Sequence, residues 1–307
     1  MQSVVDANAG GNFELERDLL IRATARSGRV RIFACLTTAL VGEMQRRHDT
    51  WPVATAALGR TASVATMMAM MLKNSERLTV KIDGDGPLGQ IWVEATPDGD
   101  VRGYVDEPHV HLPPNAIGKL DVGGAVGNGQ LYVIRDTGLR DYYTSGSELQ
   151  TGEIGDDFTY YFVRSEQTPS AVGAGVLVGT DNRPICAGGF IVQLMSGYTE
   201  ADVAYVEQGL ERVPSVTNFL QEHPSAESLL LTLCPDAQIL QINDIHFRCR
   251  CSYERLSRVL ISLGRAELVS MREQQGQAEI ACHFCNNKYH FSAQMLDDMI
   301  EKLDQNA

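Results

Sequence analysis

Long uncharged apolar runs are scarce in this sequence, basic residues are outnumbered, and most of the chain is poor in cysteine. The least charged stretch, Trp51 to Leu72, has Arg60 as its one charged residue but also holds Gly59 and several Thr and Ser. It reads as a buried core helix rather than a membrane span. Met1 to Asn12 has neither a basic start nor an apolar stretch, the two parts a secretion signal needs, so the chain is expected in the reducing cytoplasm. Lys and Arg total 26 against 39 Asp and Glu, a net charge of −13. That balance argues against nucleic acid and anionic membranes as partners, because phosphate attraction needs cations in excess. No P-loop, serine nucleophile elbow or zincin motif occurs, and no enzymatic activity is expected.

One motif invites a false reading. Gly84-Asp85-Gly86-Pro87-Leu88-Gly89 spells G-x-G-x-x-G. A dinucleotide site needs the last glycine to open a helix whose N-terminus meets the pyrophosphate. Here Gly89 opens the strand-like Gln90–Glu94, so a hairpin turn is expected.

What is present divides the chain in three. Residues 191–245 carry Arg212 alone against eight acidic residues, whereas 246–307 carry eight of each sign. The expected units are 1–190, a core of mixed α and β that binds substrate; 191–245, an acidic, metastable helical linker; and 246–307, a small metal module. The fold class is α+β, because strands and helices interleave without regular βαβ alternation. In the first unit, Val30–Leu36, Leu78–Ile82, Gln90–Glu94, Val101–Val105, Leu131–Arg135, Ala174–Val178 and Ile185–Gln193 read as strands. Thr37–Arg47, Pro52–Leu72 and Gly152–Arg164 read as helices. The methionines at 67, 68, 70 and 71 read as core packing, with an adaptable client surface as the competing reading.

The linker breaks into short helical pieces punctuated by Pro214, Pro224 and Pro235. Their apolar stripes are Val203, Val206, Leu210 and Val213; then Val216, Phe219 and Leu220; then Leu229, Leu230, Leu231 and Leu233. Helices this short depend on packing against a neighbour, so the segment is expected to come loose easily. In the last unit, Ser252 should cap a helix with Leu256, Val259, Leu260 and Leu263 inward. Ile280–Phe284 and Tyr289–Phe291 should form a hairpin, and a second helix should follow Ser292.

The last unit also holds four of the seven cysteines, as Cys249-x-Cys251 and Cys282-x-x-Cys285. Close pairs pre-gather thiolates, and two pairs complete the tetrahedral shell of structural Zn²⁺. A filled shell leaves no open position for catalysis. The same sulfurs can instead form disulfides, so a metal site and a redox switch are both open. His246, His283 and His290 lie near but are not needed as ligands. Cys35, Cys186 and Cys234 are scattered; Cys35 and Cys186 lie in apolar runs and read as inert buried thiols.

The segments GDGPLGQIWVE (84–94), GEIGDDFTYYFVRSEQTPS (152–170), FRCRC (247–251) and ACHFCNNKYHF (281–291) resemble the redox-regulated 33 kDa chaperonin, or heat-shock, family over nearly the whole length. The resemblance implies an ATP-independent holdase of the cytoplasm, with one Zn²⁺ per chain on Cys249, Cys251, Cys282 and Cys285 in a reduced, inactive form. It implies that oxidation pairs Cys249 with Cys251 and Cys282 with Cys285 and expels zinc. The linker would then unfold and bare apolar surface for unfolding client proteins, and the activated chain would form homodimers. The competing expectation is a zinc-ribbon regulator of nucleic acid or of a protein partner, and a thiol–disulfide oxidoreductase at Cys282 and Cys285 is a third.

Overall fold

The computed structural model describes residues 17–73, 76–138 and 141–305; the reading of Met1–Asn12 lies outside them. Along the chain run β1 (Leu19–Ala25), β2 (Val30–Leu36), α1 (Thr38–His48), α2 (Pro52–Ala69), β3 (Arg77–Gly84), β4 (Gln90–Ala95), β5 (Asp100–Val105) and α3 (Val122–Val126). Then come β6 (Gly129–Asp136), β7 (Tyr143–Glu148), α4 (Gly155–Arg164), β8 (Ser170–Val178), β9 (Pro184–Leu194), α5 (Glu200–Glu211), α6 (Val216–Glu222) and α7 (Ala226–Leu233). The chain finishes with β10 (Gln238–Asp244), β11 (His246–Phe247), α8 (Tyr253–Ser262), α9 (Arg265–Gln275), β12 (Gln277–Ala281), β13 (Lys288–Ser292) and α10 (Ala293–Gln305). The architecture is α+β.

Two sheets organise the molecule. One has the order β10-β1-β2-β9-β8 and the other β11-β5-β4-β3-β6-β7. Neighbours are antiparallel except β11, which runs parallel to β5. Helix α2 packs against strands of both sheets. Its lack of charge now has its cause: nearly every residue from Val53 to Ala69 is buried, as expected of a helix apolar all round inside a protein core. Gly59 permits the close approach, since a Cβ there would sit 2.8 Å from Val176 and 2.9 Å from Val41. Met67, Met68 and Met70 are buried in the same core, as the packing reading expects.

Strand alternation assigns the two faces of the first sheet. Leu20, Phe33, Cys35 and Ile191 face α2. Ile21, Ala23, Val30, Ile32, Ala34 and Val192 face the other way, where α5, α6 and α7 cover them with Val206, Val213, Leu220, Leu229, Leu230 and Leu233. Each of the three helices is opened as its sequence demands. Thr199 forms a capping box with Asp202, and the hydroxyls of Ser215 and Ser225 accept from Asn218 N and Ser228 N. Asp202 is also the anchor of α5. Its carboxylate accepts from Arg26 Nε at 3.0 Å and from Arg29 Nε at 2.7 Å.

Several sequence expectations need correction. Residues 238–244 form a strand, not linker helix, and extend the first sheet by pairing with β1. The pattern hides this because β10 is an edge strand with Ile239, Leu240 and Ile242 all exposed. Leu231 turns outward from its stripe at 39% exposure. In the last unit the first hairpin strand lies at 277–281, earlier than expected, because 282–287 are taken up by the knuckle. Val259 and Leu263 are about half exposed (49% and 50%), so Leu260 alone of the α8 stripe is fully buried. Helix α9 was not expected; Leu268 is its one buried residue, which leaves little periodicity to read. The G-x-G-x-x-G segment is the β3–β4 hairpin turn. Gly86 N donates to Val126 O at 2.9 Å, and a Cβ at Gly84 would lie 2.0 Å from that same oxygen.

Candidate metal centre

The four cysteines arrive from two separated segments. Cys249 and Cys251 follow β11 in a stretch that Ser252 ends by capping α8, its hydroxyl accepting from Arg255 N at 3.2 Å. Cys282 and Cys285 occupy the β12–β13 knuckle. There Asn286 N donates to Cys282 O at 2.7 Å and Cys282 N donates to Asn287 O at 2.9 Å. Asn286 has φ of +57°, a left-handed conformation that asparagine tolerates better than most residues.

The structure brings all four sulfurs together. Cys249 and Cys282 Sγ lie 3.7 Å apart, Cys251 and Cys285 Sγ 3.3 Å apart, and all four within 4.8 Å of one another. A tetrahedral zinc with bonds of ~2.3 Å places its sulfurs ~3.8 Å apart, so the cluster fits. Among the described residues this is the group of cysteine, histidine and acidic side chains able to hold a metal ion. The three nearby histidines stand outside it. His290 Nδ1 lies 3.3 Å from Glu279, His283 packs on Tyr104, and His246 sits in β11.

The surroundings favour thiolate at Cys249. Arg102 Nη1 donates to Cys249 Sγ at 3.4 Å and Tyr289 Oη donates to Cys251 Sγ at 3.0 Å. Burial works against a charge on Cys249, but the Cys251 N–H and the Arg102 guanidinium outweigh it and bring the thiol down to about 7. Burial raises Cys282 and Cys285. Beside Cys249, four guanidiniums (Arg77, Arg102, Arg248 and Arg250) line a small cleft against two carboxylates, Glu94 and Asp100. Their surplus positive charge complements a cluster of thiolates.

The knuckle is also a docking surface, which the sequence reading missed. Phe284 lies under Arg102, 4.0 Å from guanidinium to ring centroid, and meets Tyr104 edge-on at 5.2 Å. Arg47 Nη1 donates to Cys285 O at 3.3 Å and to Asn287 Oδ1 at 3.2 Å, while Asn286 Nδ2 returns a bond to Arg47 O at 3.0 Å. His48 Nε2 lies 3.2 Å from Phe284 O, and burial lowers the pKa of its ring. These partners are well over a hundred residues away in sequence, so no local pattern could have revealed them. The other three cysteines are buried away from the cluster, Cys35 in the α2 core and Cys186 and Cys234 beneath the α5–α7 layer. Burial raises all three thiols, Cys234 to about 11.

Known proteins resemble this chain closely. The family model described as Hsp33 protein matches residues 18–292. The 33 kDa chaperonin of Halalkalibacterium halodurans is 49% identical over 93% of this chain and 99% of its own length. That of Geobacillus kaustophilus is 50% identical over 92% and 97%. The crystal structure of the 33 kDa chaperonin of Thermotoga maritima superposes with a TM-score of 0.88 at 34% identity, covering 94% of this chain and 99% of that one. Among the described residues no helix is long and apolar enough to cross a membrane.

Proposed function

We propose that this chain, which belongs to the Hsp33 family, is a chaperone of the cytoplasm whose activity is held off by a zinc-bound thiolate cluster and released by oxidation. The observation that carries this reading is the meeting of sulfurs from two chain segments within 4.8 Å of one another. Cys249, Cys251, Cys282 and Cys285 would hold one Zn²⁺ per chain. The ion, when bound, supplies a cross-link between the segments and keeps sulfur in its thiolate form.

The chemistry of the switch follows from which sulfurs pair. Two electrons leave each pair of thiolates, and each peroxide that accepts them becomes water. Disulfides of Cys249 with Cys282 and of Cys251 with Cys285 would leave the two segments tied. Disulfides of Cys249 with Cys251 and of Cys282 with Cys285 remove the four ligands and untie them together. The resemblance to the Hsp33 family implies the local pairing, and on that ground we assign it to the activated state. Once untied, the module from 246 onward loses the contacts that order it. Its core is small: Leu260, Leu268, Ala278, Phe291, Leu296 and Met299 are its buried apolar residues besides Cys285. The acidic linker of residues 191–245 would follow, baring the sheet face under α5–α7 and its own apolar stripes. Unfolding clients would be held there without ATP, and the same surface would let two activated chains pair.

Three readings on one sample test this: zinc by a colorimetric chelator, thiols by alkylation with peptide mapping, and light scattering of a heat-unfolding client. The reduced protein should carry one zinc and let the client aggregate. After peroxide and mild heat it should lose the zinc and the four cluster thiols, keep Cys35 reduced, and suppress scattering. Equal protection by the reduced, zinc-loaded form, or peptides joined between Cys249 and Cys282, would overturn the proposal.

A further inference from the structure

Helix α2 ends at Ala69, and beyond its C-terminal end a cavity of about 190 Å³ opens between elements of the two sheets. Its polar wall is built from Arg31 on β2, Gln193 on β9, Arg135 on β6 and Glu166 after α4. Its apolar wall comes from Met68, Met71, Leu72, Leu78 and Phe162. The volume is far more than one ordered water needs, and the mixed lining is that of small-molecule sites rather than of packing defects.

The charges do not balance. Glu166 uses one oxygen, Oε1, to accept from both Arg135 Nη2 at 2.5 Å and Tyr161 Oη at 2.7 Å, and is the one carboxylate against two guanidiniums in the lining. Arg31 has no carboxylate partner among the described residues. Its Nε and Nη2 both donate to one neutral acceptor, Gln193 Oε1, at 3.0 and 2.7 Å. The last carbonyls of α2 do not take up the free guanidinium edge, because Met68 O and Ala69 O accept from Met71 N and Leu72 N. Gln193 is itself fixed: it is 1% exposed and its Nε2 donates to Ser170 Oγ at 3.0 Å. Arg31 is thus held in one pose by a buried amide, with its remaining donors unused.

Two further donors are stranded. Among the described residues Arg135 Nε is buried without a partner, and so is Nε of Arg22, which lies outside the cavity lining but on the same side of the sheet as Arg31. Burial and the Arg22 charge lower the proton affinity of Arg31. An anion in the cavity on Arg31 would engage its remaining donors and relieve that repulsion. Glu166 in the same lining disfavours a doubly charged guest, and five apolar side chains ask for a hydrocarbon part.

We propose that this inter-sheet cavity is a binding site for a small organic monocarboxylate, its carboxylate on Arg31 and its aliphatic body against Met68, Met71, Leu72, Leu78 and Phe162. The site lies on the opposite face of the sheet from α5–α7, and its occupancy does not depend on the chaperone reading.

The test uses the full reduced chain, with hexanoate as probe and 1-hexanol and inorganic phosphate as controls. Calorimetry gives affinity, and methyl NMR of labelled methionine reports the place. Hexanoate should saturate at one per chain and shift Met68 and Met71, with both controls at least about tenfold weaker, the loss expected when a charge-assisted bond or the apolar contact is missing. Arg31→Gln should weaken hexanoate about tenfold or more and leave hexanol unchanged. Met71→Trp, which fills the cavity at a half-buried position, should abolish binding and stands in as the deciding variant if Arg31→Gln does not melt cooperatively. Failure of hexanoate to saturate, equal affinity for hexanol, or undiminished binding in the deciding variant overturns the proposal.

Discussion

If the α5–α7 layer is the part that lets go, shaving its apolar face should loosen it without touching the cysteine cluster. Leu230 is the place to do so. It lies in α7, is 0% exposed, and belongs to the cluster formed with Ile21, Ile32 and Val192 on the sheet. Leu230→Ala removes buried methyl groups and leaves a cavity, a change that costs about 3 kcal/mol in comparable cores. Spent on docking, that raises the undocked population roughly 150-fold. The chain carries its own reporters: Cys186 and Cys234 lie under the layer, whereas Cys35 lies in the other core. When redocking is faster than labelling, the alkylation rate follows the open population. Pulsed alkylation of the reduced, zinc-loaded variant should therefore speed up at Cys186 and Cys234 by about two orders of magnitude, leave Cys35 slow, and coincide with client protection in the absence of oxidant. A parallel rise at all three cysteines would mean global unfolding, and no rise at any would mean that the layer does not open; either result refutes the reasoning.

Two more outcomes separate docking from metal binding and from packing. Phe284→Ala removes the ring that Arg102 and Tyr104 hold but no sulfur, so limited proteolysis should cut residues 246–305 faster while the zinc content stays at one per chain; loss of zinc would show the ring to be part of the cluster's own support. The carboxyl of Asp202 is held well below the usual carboxylate range, first by the Arg29 hydrogen bonds and also by Thr199 and Arg26. Its stabilisation is therefore present above the ordinary value of 3.8 and fades as pH falls below it, so melting temperature should drop less steeply from about pH 4 downward in Asp202→Asn than in the parent, and parallel curves would count against the Arg26–Arg29 anchor.

The gathering of the four cysteines was legible because close thiol pairs are written locally: each pair spans three or four residues, and the Ser252 cap and Asn286 turn lie beside it. Helix α2 was legible for a related reason, since a helix buried on every side cannot hide its composition. The docking surface was not legible. Arg47, His48, Arg102 and Tyr104 look like ordinary residues of a helix end and a strand, and acquire their role only because β11 lays the chain beside β5. Strand β10 was lost for the opposite reason. Its three exposed apolar residues follow no clean alternation, and its identity as a strand comes from pairing with β1, a partner more than two hundred residues earlier. The arginines of the inter-sheet cavity have the same character: Arg31 on β2 and Arg135 on β6 share a lining only because the two sheets meet beyond the end of α2.

Strand β10 also bears on how the cluster could govern the linker at a distance. The layer α5–α7 is a loop closed at both ends within one sheet, leaving from β9 and returning through β10. Opening the cluster at Cys249 first frees β11, whose pairing with β5 covers only His246 and Phe247. The next anchor is Ile245, 6% exposed in the main core, and behind it Asp244, which pairs with Arg17, and Asn243, whose Nδ2 donates to Pro97 O at 2.7 Å. Only then comes the ladder of β10 on β1. Oxidation therefore would remove one end of the tether without paying out the rest. The remaining ladder sits at a sheet edge with its apolar residues already in water, so it gains little from burial and would yield to modest thermal agitation. A switch built this way would need both insults: an oxidant to untie the segments, and heat to peel the edge strand that still holds the layer down.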